Sequence, residues 1–284
     1  MSKLSEICNK YGWVFPRILI LAGIYLTSLY GFLLFHSLAE LFSIVIAFGI
    51  FIITWHSRRF LDNNYLLFLG IAYLFVGAID VVHTLAYKGM GVFQGNDANL
   101  PTQLWIVARY AESLSFFIAP FFSNRKLRVN LVFFVYAVAI ALIFGTIFYE
   151  PIFPDCFIDG KGLTPFKKIS EYIISLILLG SMVLLIRKRR EFEKSVLIWI
   201  VWSIIVTIIS ELAFTFYISI YGLPNLAGHI FKIISFYLIY KAIIEMSLTK
   251  PYSLLWRNLK LSEERLREEK DRAQSYLDVA GVIL

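Results

Sequence analysis

Charge and cysteine are both scarce in this sequence. Charged residues make up 17% of its 284 residues, whereas soluble domains contain about 25%, so an ordinary water-exposed surface is not expected. The 2 cysteines, Cys8 and Cys156, exclude a disulfide framework, and neither lies in a CxxC or Cys/His zinc pattern. The 4 histidines form no HxxxH or HExxH pair, which excludes the helical zinc motif of metalloproteases.

Apolar residues are abundant instead. They make up 59% of the chain, and the mean hydropathy is +0.72, above the 45–50% apolar content that is typical of soluble domains. The composition therefore predicts a protein whose main partner is the lipid bilayer. The net charge of +7 does not indicate nucleic-acid binding, because the Lys and Arg residues cluster in short loops between apolar runs rather than on one soluble face.

Eight apolar stretches have about the 20 residues that a membrane-spanning helix needs. This pattern predicts an all-α, polytopic membrane helix bundle of about eight transmembrane helices. A tight turn near His36 separates the first two. The stretches are 17–35, 37–55, 65–87, 102–122, 130–149, 169–186, 195–221 and 228–246.

The distribution of basic residues predicts the orientation. Basic loops at 56–59, 124–128 and 187–190 alternate with the less basic loops 88–101, 150–168 and 222–227. The positive-inside rule then places both termini in the cytoplasm. Lys161, Lys167 and Lys168 are exceptions in an outer loop. Trp55 and Trp105, like Trp13, lie near predicted helix ends, where the headgroup region suits their rings.

The sequence becomes strongly charged after the eighth stretch. Between 254 and 280 a seven-residue spacing predicts a weak parallel coiled coil and hence a homodimer, with a single solvated helix as the alternative. Ser262 and Glu269 interrupt the seam. The seam positions are Leu255, Leu259, Leu266, Ala273, Tyr276 and Ala280. The apolar end, 276–284, is compatible with the first strand of a further domain. We therefore divide the chain into segments 1–16, 17–250 and 251–284.

Ionisable residues inside the apolar stretches are the most informative feature, because each costs about 2.5–3.5 kcal/mol at the centre of a membrane helix. They fall in the outer half or near the midplane, and most form i,i+3 or i,i+4 pairs that share a helix face. We expect them to face the bundle interior and meet, either as a ligand-binding pocket or as interhelical contacts alone. These residues are His36, Glu40, Asp80, His83, Arg109, Glu112, Glu211, His229 and Lys232.

The chemistry of this set leaves the ligand open. Three of its members, His36, His83 and His229, together with the carboxylates, suit a transition metal such as zinc, and two facing histidines suit haem iron. Because they come from three separate helices and form no local motif, the cofactor is not identified from the sequence. An unknown small molecule is the remaining alternative.

Four segments resemble the third class of the MASE group, the membrane-associated sensor domains of prokaryotic signalling proteins. They are 36–43 (HSLAELFS), 57–65 (SRRFLDNNY), 80–90 (DVVHTLAYKGM) and 108–114 (ARYAESL). The resemblance covers about residues 15–250. It implies a sensory module in a prokaryotic plasma membrane, linked through residues 251–284 to a PAS domain and then a histidine kinase or diguanylate cyclase.

The resemblance implies no catalysis by this chain itself, and the sequence contains no catalytic motif. A secondary transporter is the alternative function, because charged residues near the midplane also mark transport paths. The sequence shows no inverted repeat and no pair of Gly/Pro-broken helices, and the charged C-terminal helix has no role in transport. We therefore expect a membrane sensor that signals through its last helices.

Overall fold

The computed structural model describes residues 15–59, 64–93, 98–215, 222–244 and 250–283. Within these ranges the chain is helical apart from loops, two 3-10 turns (Ala119–Phe122 and Arg189–Glu191) and one small sheet. The helices are α1 Phe15–Tyr30, α2 Phe32–Ser57, α3 Asn64–Ala86, α4 Asn99–Ile118, α5 Val129–Phe148, α6 Pro165–Arg187, α7 Lys194–Thr215, α8 Leu223–Ile244 and α9 Lys250–Ile283. The predicted all-α helix bundle is confirmed.

Six of these helices, α2, α3 and α5 to α8, are long and apolar enough to cross a membrane. The shorter α1 and the more polar α4 correspond to the other two predicted stretches. Some predicted features lie outside the described residues: Trp13 in the N-terminal segment, the end of the seventh stretch at 216–221, and the end of the eighth at 245–246.

Two boundary predictions are wrong. The break between α1 and α2 lies at Gly31, which is extended (φ −177°, ψ 135°), so His36 is inside α2 and not at a turn. Hydropathy cannot locate this break in a continuous apolar run, whereas glycine is a poor helix former and favours it. The second concerns the apolar C-terminal end. It continues α9 as far as Ile283 instead of opening a strand.

Helix α3 lies in the core of the bundle, and every residue from Tyr65 to Tyr73 is buried. It packs against α2 and α4. Gly70 permits the approach of α2, because a Cβ atom at this position would lie 1.8 Å from Thr54 Oγ1. The central position of α3 places the charged end of this helix, which carries Asp80 and His83, among its neighbours.

Helices α7 and α8 form an extensive interface through small and hydroxylated residues. Thr207 Oγ1 and Ser235 Oγ are 2.5 Å apart, Ser203 Oγ lies 3.0 Å from Ser235 Oγ, and Ser210 Oγ donates to the Gly228 carbonyl at 2.8 Å. Small residues let helix backbones approach closely in a membrane, and hydroxyl groups bond across the contact. The part of α8 from Gly228 to Ser235 is therefore held against α7.

Helix α5 packs differently from the rest. None of its residues is buried against the described part of the chain. An apolar cleft of about 550 Å³ separates it from α4, with Phe153 and Phe166 among its lining residues. A helix that is apolar on all sides and unburied by protein has lipid as its solvent.

The loop between α5 and α6 folds over the start of α4. It contains a hairpin of β1 (Phe157–Ile158) and β2 (Gly162–Leu163), paired in antiparallel register. Asn99 Oδ1 accepts hydrogen bonds from the backbone N–H groups of Cys156 and Phe157 at 2.8 and 3.1 Å. Thr164 caps α6 by accepting from Lys167 N–H at 3.2 Å. This loop is thus fixed to the helix ends beneath it.

Candidate functional site

Ionisable side chains from six helices collect at one end of the bundle. Successive helices alternate in direction, so the starts of α2, α4, α6 and α8 lie beside the ends of α3 and α7. The sequence-predicted residues His36 and Glu40 come from α2, Asp80 and His83 from α3, Arg109 and Glu112 from α4, Glu211 from α7, and His229 and Lys232 from α8. All nine are buried.

Arg109 links α4 to α3. Its Nη2 atom donates to both Asp80 carboxylate oxygens at 3.0 Å, and its Nη1 atom donates to Glu112 Oε2 at 2.5 Å. The second oxygen of Glu112 accepts a hydrogen bond from the Tyr73 hydroxyl at 2.8 Å. The planar guanidinium group has several donors in a fixed arrangement, so it can bridge two carboxylates in a way that an ammonium group cannot.

Lys232 extends these contacts to α8 and α2. Its Nζ atom donates to Glu40 Oε2 at 2.5 Å and lies 3.1 Å from Asp80 Oδ2. We call the five residues Glu40, Asp80, Arg109, Glu112 and Lys232 the ion-pair network. With three carboxylates and two basic groups, its formal charge is −1. The network therefore lacks one positive charge.

Trp105 lies inside this site, and its predicted position in the headgroup region is wrong. It is 4% exposed, and the charged groups of Arg109 and Lys232 each lie 4.8 Å from its ring centroid. A tryptophan face attracts cations, and this attraction strengthens away from water. The Trp105 ring thus lies beside both basic groups of the ion-pair network.

Three histidine rings meet beside the network. The ring centroid of His36 lies 5.4 Å from that of His83 and 4.8 Å from that of His229. His36 also stacks on Tyr87 at 3.5 Å. We call His36, His83 and His229 the histidine cluster. It joins the ends of α2, α3 and α8.

Backbone carbonyl groups fix the tautomers of two of these rings. His83 Nδ1 lies 2.7 Å from the Pro101 carbonyl, and His229 Nδ1 lies 2.8 Å from the Asn225 carbonyl. A carbonyl oxygen only accepts, so Nδ1 carries the proton in both rings and the neutral ring has its lone pair on Nε2. Within the described chain, the Nε2 atom of His83 and both ring nitrogens of His36 have no hydrogen-bond partner.

A cavity of about 30 Å³ adjoins the histidine cluster and is lined in part by all three rings, Trp105 and Phe214. One water molecule needs about 10–15 Å³ by this measure, so the cavity accommodates an ion or about two waters. It is too small for a haem macrocycle. The ligand atoms of His36, Glu40 and His83 all lie within 4.8 Å of one another, which makes a metal ion the cofactor that these residues fit.

Two further buried charged residues were not predicted from the sequence. Lys167 and Glu171 at the start of α6 form an ion pair, Trp105 Nε1 donates to Glu171 Oε1 at 3.2 Å, and the carboxyl group of Glu211 lies against that of Glu171. Two carboxylates in such contact repel each other when both are ionised. The i,i+4 spacing of Lys167 and Glu171 was the available signal, but Lys167 was assigned to the outer loop.

The predicted coiled-coil seam lies on α9, apart from this site. Leu259 and Leu266 are 58% and 70% exposed, and Ala273 is also exposed. The side chains of the other seam positions, Leu255, Tyr276 and Ala280, are outside the described part of the structure. Pairing of two such helices therefore stays a prediction.

Comparison with known proteins gives one match. The sequence model of the family MASE3, described as a membrane-associated sensor domain, matches residues 27–251. This span covers well over half of the chain and includes all nine ionisable residues predicted from the sequence. No curated protein matches, and no solved structure matches.

Proposed function

Because the chain belongs to the MASE3 family of membrane-associated sensor domains, we propose that it is the sensory input module of a larger signal-transduction protein. The observation that carries this proposal is the ion-pair network, with its formal charge of −1, beside ring nitrogens of His36 and His83 that have no hydrogen-bond partner among the described residues. Buried ionisable groups in membrane helices usually serve a function, since their burial is unfavourable. A stimulus that supplies or moves charge here would change the pairing of Glu40 and Lys232.

The position of α8 suggests how such a change would leave the site. Lys232 connects α8 to α2 and α3, and the hydroxyl-rich interface couples α8 to α7. Helix α9 follows α8 along the chain. A ligand shifts a conformational equilibrium only through different affinities for the two states, and re-pairing of Lys232 between Glu40 and Asp80 would provide such a difference. A small movement of α8 would then alter the packing of α9.

We infer from the basic loops that both termini lie in the cytoplasm and that the charged site faces the outer side. The resemblance to prokaryotic sensors supports a plasma-membrane location and an output domain of PAS and histidine kinase or diguanylate cyclase type. Reporter fusions after Arg190 and at Gly160 test the orientation. They should report the cytoplasm and the outside, respectively, and the reverse result contradicts the proposal.

Disulfide crosslinking along α9 tests the proposed signalling route. Single cysteines at successive positions from Leu259 to Ala273, in a chain with Cys8 and Cys156 replaced, should crosslink in membranes with a seven-residue rhythm. Glu40→Gln removes a network charge and should shift the positions of strongest crosslinking. Glu150→Gln changes an exposed acid in the loop after α5 and should leave them unchanged.

Two results would contradict this route. Crosslinking without a heptad rhythm would exclude the parallel helix pair. A rhythm that is identical in Glu40→Gln and Glu150→Gln would show that the network does not control α9.

The second candidate is a secondary transporter, which the buried Lys232–Asp80 and Lys232–Glu40 contacts favour, because transport paths also contain such pairs. Proteoliposomes that contain the chain separate the two functions. A sensor should produce no flux of protons or metal cations above that of empty liposomes. Flux that is lost in Glu40→Gln would favour the transporter.

A further inference from the structure

We propose that His36, Glu40 and His83, joined by His229, form a binding site for a divalent transition-metal ion of the zinc class. This inference deepens the proposed sensory function by naming the chemical class of the stimulus. It depends on the geometry of four side chains from α2, α3 and α8, and on the charge of the network beside them.

The donor atoms suit such an ion. Imidazole nitrogen and carboxylate oxygen are common zinc ligands. In metal sites the second ring nitrogen of a histidine usually donates to a carbonyl or carboxylate group, which orients the ring. The bonds from His83 to the Pro101 carbonyl and from His229 to the Asn225 carbonyl have this form and direct the Nε2 lone pairs away from the backbone.

The contact between His229 and Glu40 gives an independent indication. His229 Nε2 lies 3.3 Å from Glu40 Oε1. When Nδ1 carries the only proton of the ring and Glu40 is ionised, both of these atoms are acceptors, and two acceptors at this distance repel unless a proton or a metal ion joins them. Either a proton held by this pair or a metal ion removes the repulsion.

The distances allow an ion with modest movement. The ligand atoms of His36, Glu40 and His83 are within 4.8 Å of one another, whereas zinc bonds of about 2.0–2.1 Å place neighbouring tetrahedral ligands about 3.3 Å apart. Binding would shorten the longest of these separations by up to about 1.5 Å. Since the ligands come from separate helices, this contraction would draw the ends of α2 and α3 together, and that of α8 through His229.

The charge balance predicts that a bound metal ion competes with the Lys232 ammonium group for Glu40. The ion-pair network has a formal charge of −1, which attracts a cation, but the Lys232 ammonium group lies 2.5 Å from Glu40 Oε2. A divalent ion on Glu40 would repel this ammonium group and favour its contact with Asp80, 3.1 Å away. Metal binding would thereby produce the re-pairing on which the proposed signalling route depends.

Cobalt(II) and zinc(II) titration of the purified chain in lipid nanodiscs tests the proposal. Four-coordinate cobalt absorbs visible light, so its spectrum reports the ligand geometry directly. We expect about one ion per chain, displacement of cobalt by zinc, and at least about a hundredfold loss of affinity in His36→Ala and His83→Ala, each of which removes a ligand. His56→Ala is the matched control, because His56 is exposed and lies outside the cluster.

Cobalt binding by Lys232→Met distinguishes loss of competition from misfolding, because the two change the affinity in opposite directions. Removal of the competing ammonium group should strengthen cobalt binding by about tenfold or more, whereas a damaged fold would weaken it. Absence of binding by the wild-type chain, equal binding by the His36→Ala/His83→Ala double variant, or weaker binding by folded Lys232→Met would each overturn the metal site.

This test does not use α9, so its failure is separable from failure of the proposed function. No metal binding together with a crosslinking shift in Glu40→Gln would reject the metal and retain the sensor. Metal binding together with crosslinking that is unaffected by zinc and by Glu40→Gln would retain the site and reject its signalling role.

Discussion

Replacement of Arg109 by methionine should destabilise the bundle strongly. Arg109 is 1% exposed and contacts two carboxylates, so Arg109→Met removes their shared positive charge and leaves a side chain of similar length. Loss of one partner from a buried ion pair costs about 3–5 kcal/mol, because the other charge stays buried. The structure therefore predicts a lower free energy of unfolding for this variant.

The remaining contacts define where in that range the effect falls. Asp80 keeps Lys232 at 3.1 Å, and Glu112 keeps the Tyr73 hydroxyl at 2.8 Å. Neither carboxylate is wholly unpaired, so we expect a loss of about 3 kcal/mol, at the lower end. Arg109→Lys should lose about 1–2 kcal/mol, because an ammonium group keeps the charge but does not reproduce the bridging geometry.

The assay is reversible unfolding in mixed detergent–SDS micelles, monitored by helical circular dichroism. Arg125→Met, at an exposed loop position, is the matched control and should change the free energy of unfolding by less than about 0.5 kcal/mol. The double variant Arg109→Met/Glu112→Gln should be less destabilised than the sum of the single variants, by about 1–2 kcal/mol, because it removes a charge that had lost its partner. Equal stability of Arg109→Met and Arg125→Met, or strict additivity in the double variant, would refute this reasoning.

Two further predictions concern packing and thiol reactivity. Gly70→Ala should lower the free energy of unfolding by about 1–3 kcal/mol in the same assay, because its Cβ atom would lie 1.8 Å from Thr54 Oγ1. Gly145→Ala has no atom within 4 Å of its Cβ and should be neutral or slightly stabilising, so equal losses would contradict the packing argument. Burial raises the pKa of the Cys156 thiol to about 12, which favours the neutral thiol, so maleimide should label it very slowly at pH 8 in a chain with Cys8 replaced. Tyr149→Cys, at a position that is 89% exposed, should react readily in a chain without Cys8 and Cys156, and equal rates at the two sites would be evidence against burial.

The sequence predicted the helices and the location of the ionisable residues well for a physical reason. Apolar length and buried charge are strong constraints in a membrane, so residues such as Asp80 and Arg109 have few acceptable positions. Their spacing also indicated which pairs share a helix face. The structure adds which pairs contact one another, such as Lys232 with Glu40, since contacts between helices depend on packing that no local pattern encodes.

The features that sequence reasoning missed have ambiguous local patterns. Lys167 lies at the first turn of α6, where a basic residue is equally compatible with an outer loop, and only its buried partner Glu171 shows otherwise. Trp105 lies near a helix start, as a headgroup residue does, yet its ring faces two cations. The break at Gly31 interrupts an apolar run whose hydropathy is uniform. The contact of Trp105 with Lys232 joins two helices, whereas the pairing of Lys167 with Glu171 lies within α6 and becomes informative only once both residues are seen to be buried.

The exposed surface of α5 has a consequence for how the protein responds to its membrane. Its 20 residues span about 30 Å at 1.5 Å per residue, close to the thickness of a typical hydrocarbon core. Because few protein contacts hold this helix, a thinner bilayer would tilt it at little energetic cost. The purified protein should accordingly keep α5 in place better in lipid nanodiscs than in a short-chain detergent. The choice of lipid is therefore part of the preparation of a native sample.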